Sequence, residues 1–346
     1  MRARSLGVFG CVLLGTITGC AVTHHRSDQQ ARRSIAGNGS TALPVPSPRR
    51  CEQSIQCDGS RWPDSAAAFV CAHPRVDTFV APFQTDLRRF FDHALSRSGR
   101  YVPGMAAVLE QEGVPQELVY LPLIESGFRL QAVSRAGAVG PWQLIRATAR
   151  RYGLRIDRYV DERRDPVKST RAAARYLRDL QAMFGDWHLS LAAYNTGEGT
   201  IARIRARRHL ADFWQMRAGG YLYPETADFV PAFLAALRIA VAPERYGFTP
   251  PTALTEDVDV TRVDRWLRLS TVARLCGTSV AALQALNPAL HGGIVPTGYM
   301  VRLPKGSQAA FQSAVAVAWT VRNGRRAPLR HVRCRTTTQI RRGARC

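Results

Sequence analysis

One carboxylate, Glu125, stands inside the apolar run Leu121 to Phe128, LPLIESGF, and Pro122 precedes it by three residues. A proline there removes a backbone donor from any continuous helix, so the run has to kink or restart just before the acid, which aims the acid at a cleft. Gly127 then ends the helix and Phe128 folds back onto the core. Glutamate in helical sequence is most often a solvated face residue; here its neighbours Leu121, Ile124 and Phe128 offer an apolar setting instead. Downstream come Ser134, the segment GAVGPWQL from Gly137 to Leu144, and LAAYNTGEG from Leu191 to Gly199. All set polar or aromatic groups in glycine-rich interruptions between apolar helices, where function tends to sit.

A carboxylic acid gives a proton to a leaving oxygen near neutral pH only if apolar surroundings raise its pKa. Acid–base sites often place a second carboxylate nearby. In the three segments the one further acid is Glu198, which lies in a turn and reads as a cap or solvent residue.

ESGF, Gly140-Pro141-Trp142-Gln143, the helix from Asp165 to Leu177, FGDW (Phe184 to Trp187), AYNTGEG and PETADFVP (Pro224 to Pro231) follow in an order that resembles the lytic transglycosylases of the lysozyme superfamily, of the membrane-bound murein transglycosylase D type. The resemblance runs from about Val76 to about Phe311 and implies a mainly α fold with a lysozyme-like (SLT-type) catalytic domain. It also implies cleavage between N-acetylmuramic acid and N-acetylglucosamine of peptidoglycan without water, giving a 1,6-anhydro end. Glu125 is then the single catalytic acid and base. Ser134 and Gln143 are implied as polar contacts around the muramic sugar, Tyr194 and Asn195 at the N-acetyl group and cleft wall. No metal, nucleotide or other cofactor is implied. Plainer roles stand beside these: Ser134 as a turn residue, Gln143 as a helix cap, Asn195 as a C-cap. The family commonly has tyrosine where this chain has Phe229, so a hydroxyl near the acid is missing. A non-catalytic wall-binding protein and a hydrolytic muramidase of the same fold are the competing readings.

The 346 residues allow two domains with flanks. Residues 1–20 read as an export signal: Arg2 and Arg4, then the mostly apolar Leu6 to Ile17, then Ile17-Thr18-Gly19-Cys20. The apolar run is short for a membrane span. Its end resembles a bacterial lipobox, implying lipidation of Cys20, and Ala21 after it implies an outer-membrane lipoprotein facing the periplasm; the alternative is a cleaved signal with a coincidental cysteine. Lys plus Arg number 48 against 26 Asp plus Glu. No zinc-finger, RNP or phosphate-loop pattern accompanies this excess, so an anionic polymer such as peptidoglycan is a better partner for the basic surface than nucleic acid.

Residues 21–75 are rich in Ser, Gly, Pro and Arg and read as a tether, in which Cys51, Cys57 and Cys71 suggest a small disulfide loop of open pairing. The catalytic domain is expected over 76–250. Apolar spacing predicts one helix over 78–97, a second over 103–111, one from Pro141 to Tyr152, one capped by Ser169 or Thr170 with a buried stripe Ala173, Tyr176, Leu177, Leu180, Met183 and Phe184, one from Trp187 to Tyr194, and one from Thr226 to about Val241. Over 251–311 a strand at Asp257 to Val263, two short helices and a strand at Tyr299 to Pro304 resemble a degenerate βααβ LysM module, a glycan binder, with Asn287-Pro288 in its usual place; a packing appendage is the alternative. Residues 312–346 form a basic tail, which from Val321 carries nine arginines and no acid.

Overall fold

The computed structural model describes residues 73–254 and 257–324. The signal with Cys20, tether residues 21–72 with their three cysteines, and the end of the basic tail lie outside the described residues, and the last residues assigned to the tether open the first helix. Cys276 is free and half-buried.

Two N-terminal helices, α1 (Pro74–Gln84) and α2 (Arg88–Gln111), divide the sequence elsewhere than its apolar spacing suggests. The break falls at residues 85–87, where the Leu87 N–H reaches back to the Pro82 carbonyl at 2.9 Å and closes α1 in a turn. The expected gap before Pro103 is absent. A proline leaves the carbonyl four residues earlier without its helical donor; that carbonyl, of Gly99, instead accepts from the Leu254 N–H at 3.3 Å. Residues 251–254 can lie this close because Gly99 has no side chain: a Cβ there would stand 2.2 Å from the Thr252 carbonyl oxygen.

The chain next makes a 3-10 turn (Gln116–Tyr120) and restarts at Pro122 as α3 (Pro122–Glu125), as the proline requires. The helix expected from Pro141 is shorter, α4 (Arg146–Arg151). Gln143 takes a left-handed conformation (φ 47°) and Val139 pairs with Leu144, so residues 141–145 form the end of a small loop. Helix α5 (Pro166–Phe184) starts ahead of the expected caps: Asp165 accepts from the Val167 and Lys168 N–H groups at 3.0 and 2.9 Å, with Pro166 in the first turn. Ser169 and Thr170 lie inside it. Its stripe is buried as spaced, except Met183, which is exposed.

Helices α6 (Trp187–Thr196), α7 (Glu198–Arg208), α8 (Phe213–Ala218) and α9 (Pro224–Val241) complete the first unit. Helix α9 is apolar on nearly every face and is buried accordingly, packing against α1, α3 and α6. Trp142, Phe91, Phe128, Phe213, Phe229 and Phe233 are fully enclosed in the core around it.

The second unit keeps the expected strand, two helices and strand and adds two short strands: β1 (Val258–Arg262), β2 (Leu267–Arg268), α10 (Leu269–Leu275), α11 (Val280–Leu286), β3 (Ile294–Val295) and β4 (Met300–Pro304). β1 pairs antiparallel with β4, from Val258 opposite Pro304 to Arg262 opposite Met300, and β2 with β3. Asn287 ties α11 to β4 as a surrogate peptide group, accepting from the Arg302 N–H at 2.8 Å and donating to the Arg302 carbonyl at 2.7 Å. Helix α12 (Gln308–Gly324) crosses the boundary expected at 311, with Phe311 buried in this unit's core.

Candidate active site

Glu125 ends α3, and the chain leaves it by a sharp reversal. Gly127 and Phe128 both adopt left-handed conformations (φ 59° and 58°), an uncommon strain for phenylalanine that surrounding contacts must hold. They do so from two sides: the Arg97 Nε donates to the Gly127 carbonyl at 2.7 Å and the Arg129 Nε to the Ser126 carbonyl at 3.0 Å. Ser126 donates its hydroxyl to the Pro141 carbonyl at 2.9 Å, joining the acid's turn to the loop that carries Gln143. Within this frame Glu125 is 2% exposed, and its Oε2 has no hydrogen-bond partner. Burial pushes the carboxyl well above the usual carboxylate range, and the nearby Glu225 adds to the push. A carboxyl in this setting holds its proton where an exposed one would have lost it.

Other elements bring polar groups towards it. Tyr194, near the end of α6, donates its hydroxyl to the Trp142 carbonyl at 2.7 Å; burial and then the Glu125 charge hold that phenol well above its ordinary pKa. Trp142 is itself pinned by its indole N–H, which donates to Thr170 on α5 at 2.8 Å. The next residue, Gln143, is buried and strained, with Nε2 donating to the Gly140 carbonyl at 2.9 Å and Oε1 unpartnered. Asn195 accepts from the Thr226 hydroxyl of α9 at 2.9 Å, and its Nδ2 is unpartnered. Glu225, beside Thr226, has a buried Oε1 without a partner, and burial raises its carboxyl too. Buried polar atoms are nearly always hydrogen-bonded in a finished structure. Four such vacancies on Glu125, Gln143, Asn195 and Glu225 offer both donors and acceptors to a polar ligand.

A family model described as the transglycosylase SLT domain matches residues 105–216, and one described as the LysM-like domain of lytic transglycosylase MltD matches residues 257–317. The membrane-bound lytic murein transglycosylase D of Escherichia coli is 33% identical over 350 residues, covering 94% of this chain and 75% of that protein. This chain belongs to the membrane-bound lytic murein transglycosylase D family. The peptidoglycan transglycosylase gp16 of an Escherichia phage is 40% identical over 79 residues, 22% of this chain and 6% of that one. An inactive mutant of the lytic transglycosylase Slt from Pseudomonas aeruginosa overlaps 44% of this chain and 25% of its own at 21% identity, with a TM-score of 0.36, too low to bear on the fold.

Set in this family, the chain's own candidates separate. Glu125, Gln143, Tyr194 and Asn195 are linked through Trp142, Thr226 and the shared field of the acid. Ser134 stands apart: its hydroxyl accepts from the Ala138 N–H at 3.1 Å and closes its own turn, keeping its proton free to donate. Glu198 opens α7, accepting from the Tyr176 hydroxyl at 3.0 Å and Arg151 at 3.2 Å. Glu225 and Thr226 lie in the PETADFVP motif, which by itself assigns them no role at the acid; packing of α9 on α3 and α6 brings them in. Ser126 had a local signal, its place beside the acid in ESGF.

Proposed function

We propose that this peptidoglycan lytic transglycosylase cleaves the bond between N-acetylmuramic acid and N-acetylglucosamine with Glu125 as its single acid and base. Glu125 enters protonated and gives its proton to the bridging oxygen as the glycosidic bond breaks. The muramic N-acetyl oxygen attacks the anomeric carbon, forming an oxazolinium. Glu125, now a carboxylate, takes the proton of the muramic carbon-6 hydroxyl, whose oxygen displaces the N-acetyl group and closes a 1,6-anhydro ring. The proton count balances, and the acid is regenerated. Gln143 and Asn195 supply unpartnered polar atoms to the sugar, Tyr194 walls the cleft, and Ser134 donates from the adjoining turn. The observation that carries this reading is the buried, proton-retaining Glu125 with a vacant Oε2.

The enzyme works in the cell envelope. Its anchoring by lipid on Cys20, at an outer membrane and facing the periplasm, rests on the lipobox-like sequence at residues 17–20.

Glu225 favours a second reading. A second carboxyl whose charge is felt at Glu125 is what a hydrolytic muramidase needs to activate water. Digestion of purified sacculi followed by mass spectrometry separates the two: anhydro ends support transglycosylation, reducing ends hydrolysis. Glu125→Gln keeps shape but moves no proton, and should cost at least about 10²-fold in rate with circular dichroism unchanged. A folded variant that releases anhydro products near the wild-type rate would assign the acid role elsewhere.

A further inference from the structure

We infer that Arg163 is a positioning residue for Gln143 and that the C-terminal module holds Arg163 in place, which makes the module a working part of the catalytic unit. The inference rests on the proposal that Gln143 binds the sugar.

Gln143 is strained, and both of its hydrogen bonds, from its backbone N–H at 3.3 Å and its Nε2 at 2.9 Å, go to the Gly140 carbonyl of its own loop, so something outside the loop has to fix it. Arg163 does this from 20 residues away in sequence. One nitrogen, Nη1, donates to the carbonyls of Gly137 at 3.0 Å and Leu144 at 3.1 Å, the two ends of the loop. Its backbone presses on the middle: a Cβ on Gly140 would stand 1.9 Å from the Arg163 carbonyl oxygen, so only glycine fits beneath it. The guanidinium's other side is clamped by Asp161, with Nε to Oδ1 at 2.9 Å and Nη2 to Oδ2 at 2.7 Å. Both side chains are buried. Burial works against the Asp161 charge, but the Arg163 hydrogen bonds outweigh it and hold the carboxyl below its ordinary value. A buried pair so satisfied fixes geometry even where it adds little net stability.

The segment bearing this pair is completed by the module. The Asp161 N–H donates to the Ala289 carbonyl at 2.8 Å, and the His291 N–H to the Tyr159 carbonyl at 3.0 Å. Val160, between them, is wholly buried in the module's core beside Leu290. On the far side Arg302 of β4 pairs with Asp165, the cap of α5, at 2.7 Å, where Asp165 is 1% exposed. Without the module, two backbone groups and an apolar side chain would lose their partners together, and Asp165 would lose the cation on its Oδ2.

The test uses the full chain, with hydrogen exchange of the Val139 and Gly140 amides and steady-state kinetics on a short soluble peptidoglycan glycan. Arg163→Lys keeps the charge but has a single nitrogen, which cannot hold the two carbonyls and both Asp161 oxygens at once. It should speed exchange at Val139 and Gly140, leave α5 amides protected, and raise KM about tenfold with a smaller change in kcat. Arg302→Gln, and Leu290→Ala as the milder variant, should move both readouts the same way, and Arg302→Lys should recover them. Faster exchange at Asp161 and His291 in these module variants, with Val139, Gly140 and KM unchanged, would overturn the coupling. If wild-type protein releases no product from any glycan, the proposed function fails; the exchange experiment then still decides the coupling.

Discussion

A carboxyl buried as Glu125 is has a folded-state pKa above its unfolded value, so the folded chain binds that proton more tightly than the unfolded chain. The stabilisation is present in full below the unfolded value, about 4.3, and is lost as pH rises through the folded one. Above that window the wild-type protein carries a buried charge, which Glu125→Gln removes. The variant should therefore melt above wild type at neutral to mildly alkaline pH, with the gap closing towards pH ~4; a constant gap across that range would show that packing, not ionisation, sets it. Glu225 acts on the same proton. An ionised Glu225 disfavours a charged Glu125, so Glu225→Gln should lower the Glu125 pKa and bring the high-pH fall of kcat/KM to lower pH. An unmoved limb, in a variant that still turns over, would mean that the two carboxyls do not sense each other. Reading the acid motif alone, Glu225 is an unremarkable residue; the contact that matters is made through space.

Helix α9 presents Glu225, Thr226 and, one turn on from Glu225, Phe229. Phe229 is fully buried and brings no hydroxyl, and Tyr194 donates its own to the Trp142 carbonyl rather than to Glu125. Phe229→Tyr should leave the rate unchanged or raise it, with melting temperature held, if the new hydroxyl finds the vacant Glu125 Oε2. A tenfold loss, roughly 1.4 kcal/mol, with a lowered melting point would place the ring's edge against apolar neighbours. The same element scale explains what was legible beforehand. Restart at Pro122, the α6 stretch and the βααβ order are local patterns, and local patterns could be read. Asp165-Pro166 was also a readable cap, since aspartate before a first-turn proline is a local signal. By contrast, α2 runs through Pro103 because the Gly99 carbonyl takes its donor from Leu254, and residues 141–145 leave the helix in a loop that Arg163 holds; neither Leu254 nor Arg163 lies within the window over which helical spacing is counted.

Across the whole molecule the charge is lopsided, at a formal +22. Helix α7 alone ends in Arg205, Arg207 and Arg208. Some acidic groups are also taken up in internal pairs, such as Glu112 with Arg171, Arg175 and Arg178, or Asp165 with Arg302. Excess positive charge of this kind draws the enzyme to an anionic polymer over distances longer than any contact, and salt shortens that reach, to ~10 Å at 0.1 M. The polar atoms of the candidate site are otherwise placed: they are buried, and buried groups are screened little by ions. Salt should therefore separate capture from chemistry. Between about 0.05 and 0.5 M salt, the fraction of protein pelleting with sacculi should fall several-fold, while kcat on a short soluble glycan changes by less than about twofold. Pelleting that ignores salt would place wall capture in apolar or hydrogen-bonded contacts, the module's among them. A parallel fall of kcat would mean instead that charge reaches into the catalytic step.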